Sequence, residues 1–237
     1  MTSDLSALGR TALVPEALRP HPAPMSNDAV TQLNVLLVET GPHDGDRAAA
    51  QLRQAGHVVH RCYDEDAADF PCHALVEPDT CPLDGHIDVA VLARRPHEPL
   101  PTRREEGIAC AIRAGVPIVE EGSERMDPFA PWVTTRVPQG SDNVAQACVR
   151  AVDTADQPLR LAIRRTIAPA VQAAGMDPSD VRCSLAHHGP AMDVHVQLPG
   201  PATIALQSAI SVRVLDAVRA AATRTVGNVD VFVHPTG

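Results

Sequence analysis

Five side chains that bind soft metals or undergo redox chemistry crowd one stretch of the chain: Cys62, Cys72, His73, Cys81 and His86. Thiolate and imidazole are the ligands Zn²⁺ prefers, and a metal can organise a segment with too little apolar content to fold alone. Pro71, Pro78 and Pro82 make the same stretch a long connection rather than a helix. Its spacing is not that of a CxxC pair, so packed thiols and surface imidazoles are the competing reading. Together with Cys110, on the helix expected to follow, Cys62, Cys72, His73 and Cys81 form the candidate set for Zn²⁺ or for a redox role. His187, His188 and His195 lie across an expected hairpin and could meet there, although turn histidines facing water are the simpler explanation.

Charged groups at the ends of apolar runs are the second candidate, namely Glu39, Asp44, Arg94 and Arg95. They read either as a pocket for a small molecule or partner, or as solvated loop charges. All 20 basic residues are Arg and none is Lys. There is no Gly-rich phosphate loop, no HExxH and no GxSxG, so no familiar catalytic set comes together in the sequence. A net charge of -9 opposes nonspecific attraction to nucleic acid or anionic membrane, and an aromatic content of 2% leaves little for base stacking. No apolar run approaches the ~20 residues of a transmembrane segment, and the first thirty residues lack a signal pattern. The expectation is a cytoplasmic protein whose six cysteines are thiols or ligands rather than disulfides.

The elements that must position these groups follow from periodicity. Residues 1–30, with Pro15, Pro20, Pro22 and Pro24, read as a flexible tail. Leu33 to Val38 is almost continuously apolar, as a strand buried on both faces must be. Asp46 to Ala55 is a helix closed by Gly56, and His57 to Cys62 a second strand. Ile87 to Leu92, Val116 to Val119 and Trp132 to Val137 are further strands, with a helix at Glu105 to Ala114. Ser141 offers an N-cap for a helix with Val144, Cys148, Val149 and Val152 on one face. This alternation predicts an α/β domain over 33–152 with a five-stranded parallel sheet. Asp153 to Pro158 is a polar break that reads as a linker. Beyond it, over 158–237, the pattern predicts a small α+β domain. A helix bears Leu159, Ile163, Ile167 and Val171, with Pro169 expected to kink or divide it. A hairpin alternates Val181, Cys183, Leu185 and Met192, Val194, Val196 about a turn at His188 to Pro190. A helix with Leu206, Ile210, Val214 and Val218, then a strand with Val229, Val231 and Val233, complete it.

The run Val35-Leu36-Leu37-Val38-Glu39 with Pro42, Leu52 and Gly56-His57-Val58, then Asp88-Val89-Ala90-Val91-Leu92 and Val116-Pro117-Ile118-Val119, resembles the receiver domain of response regulators, a flavodoxin-like fold. Such a domain holds Mg²⁺ on carboxylates, phosphorylates an Asp and reads the result with a Lys. The resemblance places the acidic pair on Glu39 and Thr40, the phosphoacceptor on Ala93, the switch hydroxyl on Gly122 with Ser123 next to it, and the Lys near Arg136 or Val137. One carboxylate survives and the nucleophile and Lys do not, which implies a degenerate pocket at Glu39, Thr40, Ala93, Gly122 and Arg136. Met192-Asp193-Val194-His195-Val196, the helix to Val218 and Val229-Asp230-Val231-Phe232-Val233 are similar to the small α+β modules of the alkaline-shock-protein and BON families. That likeness implies assembly or adaptor work.

The resulting expectation is a non-enzymatic regulatory or scaffolding protein with a pseudo-receiver that cannot be phosphorylated. It would work through a protein partner or self-association, or bind a small molecule, with no specific nucleic-acid signal. A metal or redox sensor built on the cysteine-rich 62–86 connection is one alternative, and an unrecognised enzyme on a flavodoxin-like scaffold is another.

Overall fold

Strand β1 (Asn34–Glu39) lies between β2 (Val58–Arg61) and the central β3 (Val89–Ala93) of a five-stranded parallel sheet completed by β4 (Ile118–Glu121) and β5 (Val133–Val137), in the order β2-β1-β3-β4-β5. The structure is a computed structural model that describes residues 32–63, 71–77, 80–95, 98–122, 127–188, 191–221 and 227–236. The tail expected at 1–30 lies outside these residues. The strand order is that of a flavodoxin-like sheet.

The apolar run in β1 is explained by burial on both faces. Val35 and Leu37 pack with α1 (Asp46–Gln54) and the first half of α4 (Val144–Ala173), while Leu36 and Val38 pack with Ile108 and Ala111 of α3 (Glu106–Arg113). Successive residues of one strand thus serve two cores, as the pleat requires. Between β2 and β3 the described residues hold only α2 (His73–Val76) and a 3₁₀ turn at Pro82–Asp84, in place of a full helix.

The break expected at Asp153 to Pro158 is not a linker. These residues lie inside α4, which runs unbroken for 30 residues, about 45 Å at 1.5 Å per residue. Its first half buries Val144, Ala147, Cys148 and Ala151 against the first sheet, and its second half buries Leu159, Ile163, Ile167 and Val171 against a second. The polar residues are an outward turn of the same helix, held in part by Arg160 Nη2, 2.9 Å from Asp153 Oδ1. Pro158 and Pro169 both face solvent, so the carbonyls they leave without an amide donor can be met by water. The sequence overstated their power to break the helix. Ser141 is not the N-cap either: α4 starts at Val144, and Ser141 Oγ accepts the N–H of Asn143 at 3.2 Å.

The second sheet is mixed. β6 (Arg182–His188) and β7 (Ala191–Leu198) are antiparallel, and α5 (Ile204–Ala221) carries the chain over to β8 (Val229–Pro235), which runs parallel to β7. Val194, Val196 and Leu198 of β7 pack against both α4 and Ile210, Val214 and Val218 of α5. The expected turn residues Gly189 and Pro190 lie outside the described residues. Among the described residues no helix is long and apolar enough to cross a membrane.

Two side chains at the amino end of the first sheet complete hydrogen bonding that the strand cannot. Leu33 N–H donates to His57 Nδ1 at 3.2 Å and Asn34 N–H donates to Asp88 Oδ2 at 2.7 Å. Burial holds His57 below its ordinary 6.5, against the pull of the Asp88 charge. Burial alone would raise Asp88, but His86 and the Asn34 amide outweigh it and hold the carboxyl below 3.8. Both groups are depressed, so both contribute stability that is present above the unfolded-state value and lost as pH falls through the folded one. The loss tied to His57 begins beneath 6.5 and that tied to Asp88 beneath 3.8. Urea midpoints measured at about pH 7 and about pH 5 are therefore expected to fall together with pH in the parent and to fall less in His57→Gln. An equal fall in the two proteins would show that His57 plays no part.

Candidate functional site

The carboxyl edge of the first sheet is where a parallel α/β fold binds ligands, and here it is filled by arginine–carboxylate pairs. Each of the five strands contributes. At the tip of β1, Glu39 Oε1 accepts the Gly45 N–H at 2.9 Å and lies 3.5 Å from Arg61 Nη2, which follows from the pairing of β1 with β2. Gly45 allows this close approach, since a Cβ would stand 2.9 Å from that carboxylate oxygen and displace it. Arg61 also donates to Asp46 Oδ1 at 2.8 Å.

Beyond β3, Arg94 turns inward. Its Nε donates to Glu105 Oε1 at 3.0 Å, and the side-chain exposures are 3% and 0%. Thr40 Oγ1 donates to the same oxygen at 2.9 Å, while the Thr102 N–H donates to Glu105 Oε2 at 2.7 Å. Thr40 also accepts the Arg95 N–H, so the hydroxyl at the tip of β1 joins two loops. Register places Glu120 of β4 opposite Arg136 of β5, and Arg136 Nε donates to Glu120 Oε2 at 2.8 Å while its Nη2 donates to Asp127. Burial, reinforced by Asp127, raises Glu120 above the usual carboxylate range although Arg136 pulls the other way. Glu121 accepts from Arg47 and from the Gly140 N–H.

No family model and no curated protein matches this sequence. Chemistry at this edge has to be read from its residues.

All five positions expected to form a degenerate pocket lie along this edge. Glu39, Thr40 and Ala93 are buried. Gly122 is packed so closely that a Cβ would meet the Arg94 carbonyl oxygen at 2.8 Å. Ser123 lies outside the described residues. A divalent cation carrying a phosphoryl group needs several free oxygen ligands. Glu39 is already turned to Gly45 and Arg61, and Thr40 is turned to Glu105, so the donor set does not fit Mg²⁺. The methyl of Ala93 carries no nucleophile. Of the charges expected at strand ends, Asp44 and Arg95 do pair near the surface, 3.1 Å apart, while Glu39 and Arg94 are interior groups.

Sequence reasoning missed Glu105, Glu120, Glu121, Arg47 and Arg61. Thr102-x-x-Glu105 ahead of an apolar helix is a readable capping pattern, and two acids closing an apolar strand at Glu120-Glu121 were a signal too.

The cysteines of the candidate set come from four places in the fold. Cys62 follows β2, Cys72 precedes α2, Cys81 precedes the 3₁₀ turn and Cys110 lies in α3. Burial, and then the neighbouring thiols of Cys81, Cys72 and Cys110, push Cys62 up to about 12, so the four share one neighbourhood. Among the described residues, however, no three His, Cys, Asp or Glu side chains are arranged to hold a metal ion. The side chain of His73 lies outside the described residues.

The histidines expected to meet across the hairpin do not. His187 stands opposite Met192 on the covered face of the sheet, where it reaches Asp156 at 3.2 Å. His195 stands opposite Ser184 on the other face, stacked on Phe232 and 3.1 Å from His234. His195 pairs three residues away from His187, an odd offset that puts the two on opposite faces of the sheet, and the side chain of His188 lies outside the described ones.

Proposed function

We propose that this chain is a non-enzymatic regulatory or scaffolding protein of the cytosol, in which a receiver-type sheet has exchanged phosphoryl transfer for fixed arginine–carboxylate pairing. The observation that carries this reading is the carboxyl edge. A methyl group stands where the acceptor falls, and the surrounding carboxylates are engaged by Arg94, Arg136, Arg47 and Arg61. The receiver likeness supplies the regulatory expectation, and the likeness of the second sheet to adaptor modules supplies association. A protein partner or a second copy is the favoured occupant. A small ligand entering the edge would have to part buried ion pairs, and stripping one partner from such a pair costs about 3–5 kcal/mol. A net charge of -9 disfavours nucleic acid.

Incubation of the full chain with acetyl phosphate and Mg²⁺ is expected to leave its intact mass unchanged at neutral pH. A stable phosphoryl adduct mapped to residues 33–152 overturns the reading.

A further inference from the structure

Four of the six cysteines are drawn together from segments far apart in sequence, and no part of the edge chemistry uses them. Packing fixes Cys62 against α3 and beside the segment that carries Cys81, and the charge interactions of Cys62 with Cys81, Cys72 and Cys110 place all four in that region. A Cβ on Gly107 of α3 would stand 3.1 Å from Cys62 Sγ, and Cys110 lies three residues further along that helix, on the same side. Cys62 and Leu83, two residues after Cys81, pack against the same core on the α3 face of the sheet. Cys72 and Cys81 flank α2, whose Leu75 and Val76 are both 64% exposed and so do not tie it to the core. All four thiols are free and half-buried, which leaves a reagent an approach.

We infer that Cys62, Cys72, Cys81 and Cys110 form a dithiol–disulfide site in which Cys62 closes a bond with one of the other three when the protein meets a small organic disulfide. The thiolate of Cys81 or Cys72, on the weakly anchored connection, attacks one sulfur of the reagent. The reagent S–S bond breaks, and one small thiolate departs and takes up a proton. Cys62 then gives up its proton and attacks the protein sulfur of the mixed disulfide, expelling the second small thiol. Two protein thiols become one disulfide, and the reagent is reduced by two electrons to two thiols. Burial and the three neighbouring thiols keep Cys62 protonated, which fits it to finish the exchange rather than to start it. A ligand shell for Zn²⁺ would need three of these groups at bonding distance of one point, and the described residues supply none. The inference stands independently of the regulatory reading.

The test equilibrates the reduced full chain in mixtures of reduced and oxidised glutathione, traps free thiols by alkylation after acid quench, and maps the products by mass. The expected result is loss of two of the six alkylatable thiols to one intramolecular bond that includes Cys62 and Cys81, Cys72 or Cys110, with Cys148 and Cys183 still reactive after unfolding. In Cys62→Ser, checked for native circular dichroism, glutathione adducts are expected to persist on the connection with no intramolecular bond. Six free thiols across the redox range, adducts without a bond in the parent, a bond that omits Cys62, or a stoichiometric thiol-bound metal in freshly purified protein each overturn the inference.

Discussion

Glu105→Ala is expected to lower the free energy of unfolding by about 3–5 kcal/mol, among the largest effects of any single substitution at the carboxyl edge. Glu105 has no solvent exposure and accepts from Arg94 Nε, Thr40 Oγ1 and the Thr102 N–H at 2.7–3.0 Å. Truncation removes the carboxylate bonded to the Arg94 guanidinium, which is 3% exposed and also lies 4.0 Å from Asp127. It also strips the acceptor from the Thr102 amide at the start of α3. Glu105→Gln keeps an acceptor oxygen but not the charge, and should fall between the parent and the alanine variant. Urea titrations of the three proteins decide the matter, and a loss below about 1 kcal/mol in Glu105→Ala would place this pair with weak surface ion pairs.

Ile163→Ala is expected to cost about 2–5 kcal/mol by opening a cavity in the second core, and the loss should be felt in the first sheet. Ile163 of α4 is wholly buried in the core that α4 shares with α5 and β7. The chain's single tryptophan, Trp132, sits beside β5 in the first sheet, so its fluorescence reports unfolding of the half that was not altered. Gln32–Gly237 forms one compact unit, and α4 supplies buried side chains to both cores, so the Trp132 midpoint should move to lower urea together with the far-ultraviolet circular dichroism. A Trp132 transition that stays at the parent midpoint while circular dichroism shifts would mean that the two halves unfold separately.

The elements of the first sheet were legible because their signals are local. An apolar run means two covered faces, and Gly56 and Gly115 follow helices in the left-handed conformation, with φ of 85° and 68°. The second sheet was legible from its period of two. The error at residues 153–158 has a physical cause. Polar residues one turn wide mark a linker only if the apolar face stops there, and Ala151 and Leu159 carry it across. The site was half legible. Missing Lys and a methyl at Ala93 are readable from the chain. That Arg94 would turn inward onto Glu105, or that Arg136 would face Glu120, depends on register and on loops that meet only after folding. The thiol neighbourhood was hidden for the same reason, since Cys62 packs beside Gly107 of α3, three residues before Cys110, through tertiary packing and not through spacing.

The unbroken α4 makes the molecule a lever rather than two beads on a string. Side chains of one continuous helix are packed into both cores, so a displacement of α4 in one core has to be met by repacking in the other.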